Sequence, residues 1–214
     1  MSWTFKRTKS NETAISELEA VIDEANGKSI LMFNSVPDSG LIGPGVGDIY
    51  PTCLRDSGVI RIGAATRSGN PSAWSGADCD YVLPGENIVI DPTNTPCWPT
   101  EDNAIDYASH LKGGSFTGSS YATALAAGVA AGVAALVLLC QDPNMIDTEN
   151  INKGTYRNYR RIKRAFDSMG TQEKAGGPQF INPWEKVFTD KLGDINACDK
   201  ESRKKLAGVM KQLL

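Results

Sequence analysis

Residues 113–140 read GGSFTGSSYATALAAGVAAGVAALVLLC, and the two halves of this stretch have different physics. The first half is glycine and serine with little bulk. Over 122–140 there are nineteen residues without a charge or a proline. That pattern predicts a tight turn feeding a buried helix. A serine on such a turn has its hydroxyl lifted clear of the backbone at a helix N-terminus, where free N–H groups and the positive end of the helix dipole favour an oxyanion. Ser120 is the best placed candidate nucleophile. Serine is also a favoured helix N-cap, so Gly118-Ser119-Ser120 taken alone fits a purely structural helix start as well.

Nineteen uncharged residues approach the ~20 that cross a bilayer, and Gly128 with Gly132 makes a GxxxG pair suited to a membrane helix dimer. The content argues otherwise. Ten of the nineteen are Ala or Gly, and the strongly apolar residues gather at one end, in Val133, Leu136, Val137, Leu138 and Leu139. Such a segment gains little from lipid. Small side chains let a helix lie close against a sheet, which predicts a soluble core helix and no membrane partner.

A chain of 214 residues, 41% hydrophobic and 22% charged, can bury a sizeable core as one domain with a small appendage. Its formal charge of −3 gives no general attraction to nucleic acid or to anionic membrane. The five cysteines, Cys53, Cys79, Cys97, Cys140 and Cys198, are widely spaced without a CxxC pair, so neither a zinc site nor a disulfide scaffold is indicated, and no cofactor is expected. The opening MSWTFKRTKS lacks the apolar run of a secretory signal, which predicts reduced thiols and an intracellular, cytoplasmic location.

Along the chain, residues 11–26 place Ile15, Leu18, Val21 and Ile22 at helical spacing, with Asn11 as cap and Gly27 as stop. Residues 29–34 (SILMFN) then read as a short buried strand whose C-terminal end runs into the turn VPDSG. Helix, buried strand and loop is an α/β order. A second strand is expected at 59–65 (VIRIGAA), parallel to the first, with short extended pieces at 81–83 and 87–90 around Pro84-Gly85.

The order ILMFNSVPDSG, VIRIGAATRSGNPSAWSG, DYVLPGENI and FTGSSYATALAAGVAAGVAALVL resembles the second half of the catalytic domain of subtilisin-like serine proteases. Four motifs in the right order at compatible spacings make a specific signal. The fungal-type intracellular members, with GSS-x-ATALAAG around the serine, look closest. The resemblance covers roughly residues 1–140 and implies a three-layer α/β fold with a mostly parallel sheet whose N-terminal part is missing. Residues 141–214 are expected to form a helical extension packed on the domain or following it.

By position, the resemblance places Ser120 on the catalytic serine, with Gly118 and Ser119 forming the sharp turn and Ala122 allowing close helix packing. Asp38 falls where the family usually has the oxyanion-hole asparagine. An ionised carboxylate would repel a developing oxyanion and a protonated one could donate to it, so the role asks for a proton on Asp38 in a partly desolvated loop. The segment Ser2-Trp3-Thr4 matches the edge that pairs with substrate backbone in the family. The implied activity is serine endopeptidase, with a polypeptide as substrate.

A serine nucleophile needs a general base and a residue that orients it, and the family carries both in motifs ahead of the segment that matches Ser2-Trp3-Thr4. Those motifs are absent here. The chain is therefore expected to carry only the nucleophile half, and its natural partner would be a missing N-terminal half or a larger multidomain chain. His110, the one histidine, lies ten residues before Ser120 with no family-motif Asp to orient it, and reads better as a surface loop residue. Two function classes follow: a peptidase domain completed by the missing half, or a catalytically inactive subtilase remnant that acts as a binding module.

Past residue 140, Tyr156, Tyr159, Ile162 and Phe166 recur at helical spacing with arginines and Lys163 on the other side, which predicts a solvated basic face and no nucleic-acid site. A short helix is expected after Asn182-Pro183, and residues 200–214 are amphipathic through Leu206, Val209, Met210 and Leu213.

Overall fold

The run VIRIGAA folds as the strand β4 (Val59–Ala65), and all seven of its residues are buried. A strand buried on both faces reads as a continuous apolar run because neighbours cover each side. β4 lies second in a five-stranded sheet made with β2 (Met32–Ser35), β5 (Tyr81–Pro84), β8 (Gly170–Thr171) and β9 (Gln179–Ile181), in the order β2-β4-β5-β9-β8. β2, β4, β5 and β9 run parallel and β8 closes the edge antiparallel. The register sets Met32 against Val59, Ile62 against Tyr81 and Tyr81 against Gln179. This is a computed structural model, and it describes residues 1–39, 48–54, 57–75, 78–89, 114–139, 159–171, 177–183, 204–206 and 208–209.

Side chains alternate across a strand, so Ile60, Ile62 and Ala64 share one face of β4. On that face they join a cluster with Ala122, Ala126, Ala130 and Val133 of α2 (Ser119–Leu139) and with Ile162, Ala165, Phe166 and Met169 of α3 (Tyr159–Met169). The α2 residues in this stripe are mostly alanine, which lets the helix axis come close to the sheet. The rest of α2 is less buried than its composition suggests. Ala124, Ala127, Gly128, Ala131, Gly132 and Ala135 are exposed, and the helix packs along one stripe only. Among the described residues it is the one helix long and apolar enough, by length and composition alone, to cross a membrane.

At the other end, α1 (Glu12–Gly27) buries Ile15 and Ile22. Asn11 does not cap it through its side chain. Its amide instead accepts from the Thr8 N–H and donates to the Lys6 carbonyl, closing the preceding turn. Gly27 is the last helical residue, and the reversal falls two residues later at Ser29, with φ of 56°. The strand expected from Ser29 accordingly starts at Met32.

Two small ribbons flank the sheet. β1 (Phe5–Lys6) pairs antiparallel with β3 (Ile49–Tyr50), and β6 (Ile88–Val89) pairs antiparallel with β7 (Ser115–Phe116). Met1 meets the free edge of β2 in the pattern of a parallel bridge: its amino group donates to the Phe33 carbonyl at 2.5 Å and its carbonyl accepts from the Ser35 N–H at 3.0 Å. Trp3 is 48% exposed and stacks on Phe5, which stacks on Tyr50.

The region after residue 140 is not only helical. Residues 170–171 and 179–181 supply two strands of the main sheet, and β9 sits directly against β5. Leu206 and Val209 bury their side chains in the same cluster as α2 and α3. The basic face of α3 is tied down in part: Lys163 Nζ lies 4.9 Å from the centre of the Tyr81 ring and 3.9 Å from Asp80.

Candidate active site

In a parallel sheet the loops at the carboxyl ends of the strands gather on one side, next to the N-termini of the helices that follow. Here the ends of β2, β4 and β5 meet the start of α2. The turn after β2 is held by the Val36 N–H donating to the Ile62 carbonyl at 2.9 Å, which sets Asp38 beside the helix. The end of β5 is held by Gly85, whose N–H donates to the Ala65 carbonyl at 3.2 Å and whose carbonyl accepts from the Gly118 N–H at 2.8 Å. A Cβ on residue 85 would stand 2.7 Å from the Ala64 Cβ and 3.0 Å from the Gly118 carbonyl oxygen. The strand end and the helix start approach this closely only because residue 85 has no side chain.

Ser119 opens α2 and is fully buried; Ser120 follows it and is half-buried. The Ser119 N–H is one of the helix donors that lack an intrahelical acceptor. Asp38 receives it, at 3.1 Å on Oδ1 and 3.3 Å on Oδ2. Oδ1 also accepts from the Ser119 hydroxyl at 2.5 Å, a separation proper to a hydroxyl donating to a carboxylate. Asp38 thus caps the helix across a gap of 81 residues, and a carboxylate at a helix N-terminus is electrostatically favourable.

Behind Ser119 stands Ser75, buried in the loop after β4. Its oxygen accepts from the Ala64 N–H at 3.0 Å and lies 3.1 Å from the Ser119 oxygen. The Thr123 hydroxyl donates to the Ser119 carbonyl at 2.8 Å. Ser72 donates to Glu86 at 2.7 Å, tying the loop after β4 to the loop after β5.

The structure sets Asp38 against Ser119, the residue before Ser120. It differs from the expectation in two respects. Asp38 is exposed and not desolvated. Its bonds go to Ser119, which sequence reasoning treated as a turn-former only. Ser75 was missed altogether, since a serine in a polar loop carries no periodic or spacing signal. Ser2, Trp3 and Thr4 are exposed, and among the described residues they make none of the hydrogen bonds that build the turn. His110 lies outside the described residues, as do Cys97, Cys140 and Cys198.

Cys79 and Cys53 are free thiols. Burial pushes the Cys79 thiol up to about 12 and raises Cys53 as well, so both are poor nucleophiles near neutral pH. Among the described residues no group of His, Cys, Asp and Glu is arranged to hold a metal ion.

Residues 1–163 match the family model described as the Subtilase family, Peptidase_S8. No curated protein matches the chain. Similar solved structures include a lanthipeptide protease, with a TM-score of 0.53 at 16% identity, covering 84% of this chain and 55% of that one. Another is the prenylagaramide maturation protease PagA, with a TM-score of 0.47 at 17% identity, covering 93% and 56%. The chain spans about half the length of these structures, and at 16% identity the likeness to the lanthipeptide protease is one of fold.

Proposed function

Because the chain belongs to the subtilase family, whose model covers residues 1–163, we propose that it is the nucleophile-bearing half of a serine endopeptidase. Ser120 is the nucleophile and Asp38 occupies the oxyanion position. The observation that carries this reading is the bond from Asp38 to the backbone and hydroxyl of Ser119, which puts the carboxyl at the mouth of the Ser120 turn. Ser120 Oγ would attack the scissile carbonyl carbon of a polypeptide while its proton passes to a base. Negative charge then gathers on the carbonyl oxygen near the start of α2, the amine leaves with the proton, and water releases the acyl group.

These 214 residues hold a single histidine and no family motif to orient it, so in this reading the base and its orienting acid are supplied from outside them, by a missing N-terminal half or a larger multidomain chain. The 214-residue chain alone is then inactive. Loss of the triad still leaves ~10³ to 10⁴ over water in well-studied serine proteases, from binding and oxyanion stabilisation. With substrate contacts of Ser2, Trp3 and Thr4 only partly supported, less than that remains here.

The single histidine also favours a second reading, an inactive remnant that binds peptide or protein without cleaving it. A fluorophosphonate probe separates the two. The chain alone should not be labelled. Addition of a separately made polypeptide carrying subtilase Asp and His motifs should give labelling that Ser120→Ala abolishes and His110→Ala leaves unchanged. Labelling of the isolated chain that vanishes with His110→Ala would make His110 the base, and no labelling in a docked assembly would leave the binding module standing.

A further inference from the structure

A hydroxyl has one proton to give, so a row of hydroxyls can have a direction. The Ala64 N–H can only donate, and it donates to Ser75 Oγ at 3.0 Å. At the far end Ser119 gives its proton to Asp38 Oδ1 at 2.5 Å. Between them the two serine oxygens are 3.1 Å apart. With the Ser119 proton committed to Asp38, Ser119 Oγ accepts from Ser75, and the Ser75 proton is committed in turn. The row therefore runs one way, from the Ala64 backbone through Ser75 and Ser119 to Asp38. Both serines are buried, 5% and 0% exposed, so water does not compete for either hydroxyl.

The consequence falls on Asp38. Its Oδ1 takes the hydroxyl and the nearer N–H bond, while among the described residues Oδ2 has the N–H at 3.3 Å alone. Oδ2 faces Gly118, where a Cβ would lie 3.4 Å from it. We infer that Ser75 and Ser119 are positioning residues whose directed hydrogen bonds lock the Asp38 carboxyl with Oδ1 as acceptor and Oδ2 as the oxygen presented at the Ser120 turn. This deepens, and rests on, the reading of Ser120 as nucleophile. An asparagine at position 38 is oriented the same way, with its carbonyl on Ser119 and its amide nitrogen in the place of Oδ2.

The test separates the relay from the function. In the 214-residue chain carrying Asp38→Asn, NMR should show the side-chain amide protons close to the Gly118 α-protons. In the unsubstituted chain, Ser75→Ala should speed amide exchange by about tenfold, the scale of one lost hydrogen bond, at Ala64, whose N–H loses its acceptor, and at Ser119, with smaller changes in the middle of α2 and in the rest of β4. Ser119→Thr, which keeps the hydroxyl, should keep the amide orientation of the Asp38→Asn variant, and Ser119→Ala should scramble it. Exchange that rises equally throughout the sheet after Ser75→Ala overturns the relay, as does a side-chain amide of the Asp38→Asn variant turned away from Gly118 in the presence of both serines. Should Ser75→Ala not fold, the Ser119 pair and the Asp38→Asn orientation decide alone. Labelling of the assembled two-piece enzyme reports separately: its failure with the relay intact sinks the peptidase reading and not the positioning of Asp38.

Discussion

Truncating Asp38 to alanine strips an acceptor from a buried hydroxyl and from the first free N–H of α2. Loss of a helix cap of this kind costs roughly 0.5–2 kcal/mol, and Asp38→Asn, which keeps one acceptor, should cost less. Urea denaturation of the two variants checks the order. Arg61 makes a second prediction. It is the one charge on β4, and it binds Asp80 through Nε and Nη2 and Asp78 through Nη1 at 2.9 Å. Burial alone would raise the Asp80 carboxyl; the Arg61 side-chain bond, its backbone N–H, its charge and Lys163 outweigh it and hold Asp80 below its ordinary value. A depressed carboxyl stabilises the fold above its unfolded pKa of about 3.9, and that stability is lost as pH falls through the lower folded value. Arg61→Met should therefore destabilise by roughly 1–3 kcal/mol at neutral pH, because it leaves the half-buried Asp80 carboxylate with only the residue-61 N–H and Lys163. The difference from the parent should shrink below about pH 4, as thermal melts across pH would show. Of these residues only Asp38 was marked by sequence, through the family resemblance that falls on the turn after residues 29–34.

Gly85 shows how two elements depend on one missing side chain. Gly85→Ala brings a methyl group to 2.7 Å from Ala64 Cβ, with backbone of Gly118 on its other side, so β5 and α2 must separate. Overpacking of this sort costs roughly 1–3 kcal/mol. The variant should also lose labelling of Ser120 in the assembled enzyme more sharply than it loses stability, since the shift is delivered to the turn itself. The docking of α3 has its own handle. The Tyr81 hydroxyl donates to Asp167 at 2.6 Å and lies 3.0 Å from the Lys163 carbonyl, and its ring meets Phe166 edge-on at 5.2 Å. Tyr81→Phe keeps the ring contact and removes the bond, at a cost of about 1 kcal/mol. Hydrogen exchange should rise in α3 before it rises in β4. The elements themselves were legible: 59–65 is a strand because seven buried residues in a row suit a central parallel strand. The stripe of α2 was legible only in kind, because a helix rich in alanine looks alike on every side.

At the scale of the molecule, residues 170–171 and 179–181 are part of the main sheet and 159–169 pack on it. Ending the chain at residue 158 would remove α3, β8 and β9, turn β5 into an open edge and uncover Phe33 and Tyr81 from their packing with Phe166. An exposed flat edge with an uncovered apolar face aggregates. A chain of residues 1–158 should lose the cooperative thermal transition of the 214-residue chain and precipitate on concentration, as calorimetry and light scattering would report. Retention of a sharp transition would place the domain boundary near residue 140, where the family motifs thin out.

Sequence alone determined the α/β order, the central strand, the small-residue helix and the family, because each rests on local periodicity or on short motifs whose order survives without coordinates. Tertiary structure decided what the motifs touch. The partner of Asp38 lies 81 residues away and the partner of Ser75 lies 44 away, and both bonds depend on loops meeting at the end of a sheet. The insertion of β9 beside β5 joins segments almost a hundred residues apart through a two-residue ladder, Tyr81 with Gln179 and Val82 with Phe180. Pairings of that length leave no periodic trace in a chain, since only the closed sheet brings their hydrogen-bonding groups within reach of one another.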